Sequence, residues 1–358
     1  MNAGRVVVLV FVVLVSGTAG ALAGVSNGTF SIVAYDSETQ ELGVAVQSRA
    51  FSVGAAVPWA EAGVGAIATQ ASTNESFGPN GLALLRAGYS AKQTLDTILA
   101  GDAGGENRQV GIVDALGRAA AFTGSKCITW AGDTSGTGFS VQGNILAGPE
   151  VVSGMVRAFS ESEGELAERL IAALHAAQAA GGDRRGQQSA ALLVVRPSDH
   201  YPEYRTRYIE LRVEDHPDPI NELERVFRLH QASDLLRAHL RYAEHFDTTD
   251  NVEAAALELK RVGETLVSTL ERDDVDAGSL NALAWFCATA DMYLEESLEA
   301  ALRAVKLEPE NTAILDTLAE VLFRLGRAKE AIEVIDRAIA IDSDDEYLKG
   351  QRKRFEAD

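Results

Sequence analysis

Residues 28–48 read GTFSIVAYDSETQELGVAVQS, and the reading of this stretch decides the fold. Two apolar runs, 29–36 and 41–48, flank a polar turn at 37–40, which predicts a β-hairpin whose alternate side chains face opposite ways. The hairpin opens on a Gly-Thr pair, so Thr29 stands at the head of the first strand.

Further along, GVGAIATQ (63–70) reads as a third strand, and NGLALLRAG (80–88) and SAKQTLDTILAGD (90–102) as a helical pair. In the second helix Leu95, Ile98 and Leu99 recur at helical spacing behind the N-cap candidate Ser90. RQVGIVDALG (108–117), RAAAFTG (118–124) and FSVQGNILAG (139–148) read as strands, followed by helices near 150–160 and 165–180 and by two more strands, QSAALLVVRP (188–197) and RYIELRVED (207–215). Strands and helix pairs in this alternation predict a layered α+β domain with sheets inside and helices outside. The Gly-rich run AGDTSGTGFSVQG (131–143) reads as a loop leading into a strand; it lacks the lysine of a phosphate-binding loop, and GDTSG does not match a GxSxG nucleophile elbow.

EDHPDP (214–219) ends that pattern, and the rest is helical and rich in Leu, Ala, Glu and Arg. The stretches beginning at Leu280 and Ile314 match at an offset of 34 residues, aligning Ala304 with Ala338. That period, with small residues where helices cross, resembles the tetratricopeptide repeat; Gly326, Ala331 and Ala338 fit its pattern. About three repeats are needed to bury a continuous core, and 220–275 reads as a helical linker or a divergent repeat. The expected divisions are 1–23, 24–219, 220–275 and 276–358.

The chain has 358 residues and a net charge of -20, which disfavours nucleic acid and anionic lipid as partners. Residues 1–23 have the order of a signal peptide: one Arg, an apolar run, then small residues ending at Ala21-Leu22-Ala23. Cleavage after Ala23 and a secreted or periplasmic location are expected, with membrane contact only through this segment should it stay attached. Cys127 and Cys287 fall in different domains and form no disulfide framework, and the six histidines show no metal-ligand spacing. No metal or organic cofactor is expected.

The phrases TFSIVAYDSETQELGVAVQS, VGAAVPWAEAGVGAIATQA, GPNGLALLRAG, RQVGIVDALGRAAAFTG, CITWAG, VQGNILAGPEVV, GGDRRGQQSAALLVV and VEDHPDP together resemble the domain-of-unknown-function family 1028, within the N-terminal-nucleophile hydrolase superfamily. The resemblance spans residues 29 to about 230. It implies a four-layer αββα sandwich followed by the all-α repeats, and an amide-bond hydrolase acting on an amide or peptide. Many such chains resemble one beginning Met-Thr-Phe-Ser-Ile; here Thr29 lies behind a leader instead.

A threonine hydroxyl needs a base, and a free α-amine on Thr29, with a reference pKa of roughly 7.7 to 8.0, supplies one within the same residue. Gly28 then marks the processing point, since it places no side chain against the bond to be cut. Arg49 is the candidate for keeping that amine neutral, and Asn144 and Asn74 are candidate donors to an oxyanion. Asp183 and Ser189, in GGDRRGQQS, resemble the acidic and serine positions that orient the amine in threonine-type members of the superfamily. Gln47 and Ser48 lie near Thr29 in any hairpin geometry and are expected to contact substrate. A second reading makes the sandwich catalytically silent, with the repeats binding a protein partner.

Overall fold

The computed structural model describes residues 28–197 and 206–357; the leader and its processing residue Ala23 lie outside the described residues. The first half contains β1 (Thr29–Tyr35), β2 (Leu42–Ser48), β3 (Pro58–Glu61), β4 (Gly65–Ala71), α1 (Phe77–Arg86), α2 (Ala91–Ala100), β5 (Arg108–Asp114), β6 (Ala119–Thr123), β7 (Gly132–Gly136), β8 (Phe139–Asn144), α3 (Glu150–Glu161), α4 (Leu166–Ala179), β9 (Ser189–Val195) and β10 (Arg207–Val213). Two antiparallel sheets result, in the orders β10-β9-β2-β1-β8-β7 and β3-β4-β5-β6.

The period of two along β1 builds the layers. Phe30, Ile32 and Ala34 point outward into a core shared with α3 and α4. Val33, with Val44 and Val46 of β2, points inward against Ala66, Ala68 and Val113 of the second sheet. The outer face of that sheet, through Ile67, Val110 and Ile112, packs under α1 and α2. Helix, sheet, sheet, helix is the four-layer αββα sandwich. Alternation with both faces apolar is what a sheet buried on both sides requires.

Two strands depart from expectation. β3 was not foreseen, and β7, expected to be a loop, is an edge strand paired from Gly132 to Gly136 with β8. An edge strand needs one partner and no apolar face, so GDTSG folds as a strand because the turn ending at Gly138 (φ 79°) returns it to β8.

In the second half, Pro219 starts α5 (Pro219–His230), which continues through a π-turn at Gln231–Leu235 into α6 (Leu236–Thr248). Then come α7 (Val252–Leu270), α8 (Ala277–Thr289), α9 (Leu294–Leu307), α10 (Thr312–Arg324), α11 (Ala328–Ile341) and α12 (Glu346–Ala357). Ala284, Ala288, Ala300, Ala304, Ala319, Ala331 and Ala338 are fully buried in one continuous core with Val262 and Leu266 of α7. Within 220–275, α5 packs on the sandwich through Ile220, Leu223 and Phe227, while α6 and α7 share the helical core through Leu236, Val262 and Leu266. No helix among the described residues is long and apolar enough to cross a membrane.

The halves join at the turn end of the β1–β2 hairpin through six buried ionic side chains. Glu41, Glu165 and Arg196 come from the sandwich, His239, Glu258 and Arg261 from α6 and α7, and none is more than 6% exposed. Arg196 Nη2 meets Glu258 Oε1 at 2.5 Å, Arg261 Nη1 meets Glu41 Oε1 at 3.4 Å, and His239 lies 2.7 Å from Glu258 and 3.0 Å from Glu165. Burial alone favours a neutral imidazole, but the two carboxylates lift His239 to about 9. With His239 protonated, three cations face three carboxylates.

Candidate functional site

The other end of the hairpin holds Thr29. Strand register places Asn144, Thr29, Ser48 and Ser189 opposite one another in a single row across β8, β1, β2 and β9. Directly paired residues share a face, so the row points inward toward the second sheet. Facing it, Gln70, Gln109 and Thr123 form a matching row on β4, β5 and β6.

These rows interlock through buried amides. Gln109 Oε1 accepts from Gln70 Nε2 (2.8 Å) and from Asn144 Nδ2 (2.9 Å), while Gln109 Nε2 donates to Thr123 Oγ1 and to the Gly143 carbonyl. Gln70 also donates to the Thr29 carbonyl at 3.3 Å and accepts from Ser31, which in turn accepts from Gln142. Gly111 makes room for this layer: a Cβ there would meet Gln142 Oε1 at 2.1 Å. The lattice fixes the backbone of Thr29 from below.

Above it, Thr29 Oγ1 lies 3.0 Å from Ser48 Oγ, and Ser48 Oγ donates to the Gly28 carbonyl at 2.5 Å. A carbonyl only accepts, so the Ser48 proton is committed there and Thr29 is the donor to Ser48. The same Gly28 oxygen accepts from Arg185 Nη2 at 2.8 Å. Arg185 is held by Asp183, whose Oδ2 lies 2.6 Å from Nη2 and whose Oδ1 accepts from its backbone N and Nε. Asp183 packs so closely on Gly28 that a Cβ at that residue would fall 2.7 Å from its carboxyl atoms. The peptide bond before Thr29 therefore has a hydroxyl beside it and two donors on its oxygen.

Backbone strain gathers at this end. Ser52, Ala71 and Ile145, which follow β2, end β4 and follow β8, all have positive φ (57°, 69° and 54°). For a β-branched residue such as Ile145 that conformation is costly, and such residues cluster at functional sites. Its N–H donates to Ile128 and its carbonyl accepts from Arg184, so it ties the loops on either side of the row.

The other candidates are placed as follows. Ser189 lies in the row but spends its hydroxyl on the 50–53 loop, donating to Ala50 O and accepting from Val53 N. Arg49 follows Ser48, its N–H on Asp183 and its Nη1 on the Gln187 carbonyl. Asn144 is opposite Thr29 with Nδ2 on Gln109. Two candidates do not face Thr29. Gln47 pairs with Phe30, so its side chain is buried on the helix face, away from the row. Asn74 closes its own turn by accepting from Ser76 and lines a groove of about 480 Å³ between α1 and α2. Arg185 and the glutamines were overlooked; a glutamine at the inward phase of GAIATQ, RQVGIV and FSVQGN was the available signal. Among the described residues no group of three His, Cys, Asp or Glu side chains is placed to hold a metal ion.

Comparison with known proteins bears on both halves. Residues 29–223 match the family of unknown function DUF1028, and residues 294–353 match the tetratricopeptide repeat. A crystal structure of a DUF1028 protein from Silicibacter pomeroyi is 34% identical, covers 58% of this chain and 91% of its own, and superposes with a TM-score of 0.53. The tetratricopeptide-repeat domain of Arabidopsis OM64 aligns over 35% of this chain and 98% of its own at 12% identity and a TM-score of 0.24, too low a score to argue from. No curated protein matches. The chain belongs to the family of unknown function DUF1028.

Proposed function

We propose that this protein is an exported amide-bond hydrolase whose nucleophile is Thr29, released as the first residue of the mature chain by cleavage of the Gly28–Thr29 bond. The observation that carries the reading is the Gly28 carbonyl oxygen, held by Ser48 Oγ and Arg185 Nη2 beside the Thr29 hydroxyl. Two donors on a carbonyl oxygen polarise it and stabilise the oxyanion formed when a hydroxyl adds to its carbon.

In processing, Thr29 Oγ bonds to the Gly28 carbon and the C–N bond breaks, the hydroxyl proton passing to the leaving nitrogen. That shift frees the Thr29 amine; water then cleaves the resulting ester, releasing the leader with Gly28 as its carboxyl terminus and regenerating the Thr29 hydroxyl. In turnover the freed amine takes the hydroxyl proton while Oγ bonds to the substrate carbonyl carbon, and passes it to the departing amine; water hydrolyses the acyl-enzyme. Loss of Gly28 also leaves Ser48 and Arg185 without that acceptor, and a substrate oxygen replaces it.

The test is the intact mass and N-terminal sequence of the exported protein beside Thr29→Ala and Ser48→Ala. A wild type beginning at Thr29, with the Thr29→Ala chain retaining Gly28 and Ser48→Ala cut more slowly, is the expected result. If wild type and Thr29→Ala share an upstream N-terminus, self-processing is ruled out.

A second reading rests on a different observation: with Gly28 attached, Thr29 is 2% exposed. A chain that keeps that state is a binding module whose helical repeats engage a protein partner. The repeats serve protein binding in either case, and a pull-down requiring 276–343 is its measurement.

A further inference from the structure

Gly28 shows what the acyl side of a bond held next to Thr29 can carry. The residue is buried, and its carbonyl oxygen lies between Ser48 Oγ and Arg185 Nη2. An L-configured Cβ on its α-carbon would fall 2.7 Å from Cγ, Oδ1 and Oδ2 of Asp183 alike, resting on the face of that carboxylate. Real Cβ atoms essentially never come within 3.0 Å of another heavy atom, so either the side chain is absent or Asp183 moves.

Asp183 is not free to move. Its side chain is closed off from water, and the carboxylate accepts from the Arg49 N–H at 3.2 Å and from the backbone N, Nε and Nη2 of Arg185 at 2.9, 3.1 and 2.6 Å. Turning it away from Gly28 breaks several of these charge-assisted bonds together. The backbone around it is pinned as well. Ala147 N donates to Gly182 O at 3.0 Å, Arg184 N to Ile145 O at 3.0 Å, and Gly186 N to Asp183 O at 2.9 Å. None of these bonds involves Gly28, so the carboxylate stays in place when Gly28 leaves.

Resting on the reading of Thr29 as nucleophile, we propose that the mature enzyme cuts amides whose acyl residue is glycine, with Asp183 as the wall that excludes L side chains. The substrate carbonyl oxygen takes the place of Gly28 O between Ser48 and Arg185, its α-carbon lies against Asp183, and the nitrogen on that carbon follows the path of the Gly28 nitrogen. Selection is by overlap: a larger acyl residue would have to displace a carboxylate that four hydrogen bonds hold. The reaction is the hydrolysis set out above and needs no further reactant than water.

The test treats the mature chain as exported with the 4-nitrophenyl esters of N-acetylglycine and N-acetyl-L-alanine, whose leaving group asks little of the site. Thr29 Oγ bonds to the ester carbonyl carbon, nitrophenolate departs, the Thr29 amine keeps the hydroxyl proton, and water later releases the acid. Nitrophenolate release gives the rate, and peptide mass gives the acylated residue. Relative to each ester's rate with hydroxide, acylation of Thr29 should be on the order of tenfold to a hundredfold faster with the glycine ester. The Gly28→Ala precursor should be cut more slowly by a similar factor. Equal acylation by the two esters, or Gly28→Ala processing at the wild-type rate, overturns the proposal and leaves the hydrolase reading standing. Acylation of Thr29 by neither ester sinks both. Asp183→Ala should bring the ratio of the two rates toward unity, and a ratio unchanged in that variant overturns the assignment of the wall to Asp183.

Discussion

Strands β1 and β2 carry a buried polar cluster at each end, roughly 20 Å apart at the usual rise per residue, and the two are built from opposite materials. At the turn end six ionic side chains join the sandwich to the helices. At the Thr29 end the lattice of Gln70, Gln109, Gln142 and Asn144 is made of neutral amides. A charged cluster costs much to desolvate and holds together only while every partner is present, whereas amides pair with modest energy and keep a fixed geometry over a wide pH range. The first suits a permanent joint, and the second suits a floor beneath a reacting group.

The largest expected effect comes from removing one member of the joint. Glu258→Ala leaves Arg196 and His239 buried without their shared partner, and should cost about 3–5 kcal/mol in urea unfolding of the full chain. A loss under about 1 kcal/mol would show that water reaches the joint and would erase the contrast.

Titration gives the next. Because His239 is raised from 6.5 to about 9, its contribution is fully present below pH 6.5 and is lost as pH rises through 9, on the order of 3 kcal/mol in all. Glu258 works in the other direction. Although burial tends to raise it, His239 and Arg196 hold it at about 2, so its share is present above its ordinary value of 4.5 and is lost as pH falls through 2. Stability measured against pH should therefore fall between 6.5 and 9, and His239→Gln should flatten that limb. A slope unchanged by the variant would assign the titration elsewhere.

Within the lattice the effects shrink. Gln109→Leu strands the Asn144 donor and takes from Gln70 its shortest acceptor, a loss of about 2 kcal/mol, and slows any Thr29-dependent processing while leaving the high-pH limb untouched. Ser140→Ala removes one neutral bond, to Gln142 Oε1, and should cost about 1 kcal/mol or less by thermal melting. If the two lattice variants were equal in cost, Gln109 would not be the hub its contacts suggest.

The fold was largely legible because both of its periods are written in residue types. The alternation in TFSIVAY and LGVAVQS set the two faces of the central sheet, and the spacing of 34 residues set the repeats. β7 was missed since an edge strand of Gly, Asp, Thr and Ser has no apolar face to signal it. At the site Thr29, Gly28, Ser48, Asn144 and Asp183 were named from the chain and do meet. Gln47 was misplaced through its phase, because one residue's shift along a strand turns a side chain to the opposite face.

What the sequence determined by itself is the local and periodic part: a hairpin headed by Thr29, strands alternating with helix pairs, and an acidic helical array at 34-residue spacing. Each follows from near neighbours along one chain segment. Only the tertiary structure decided that Arg185, 157 positions from Gly28, donates to its carbonyl, and that His239 sits between Glu165 and Glu258. Those contacts depend on strand order and helix docking, and no pattern within a single element encodes which distant side chain will arrive opposite it.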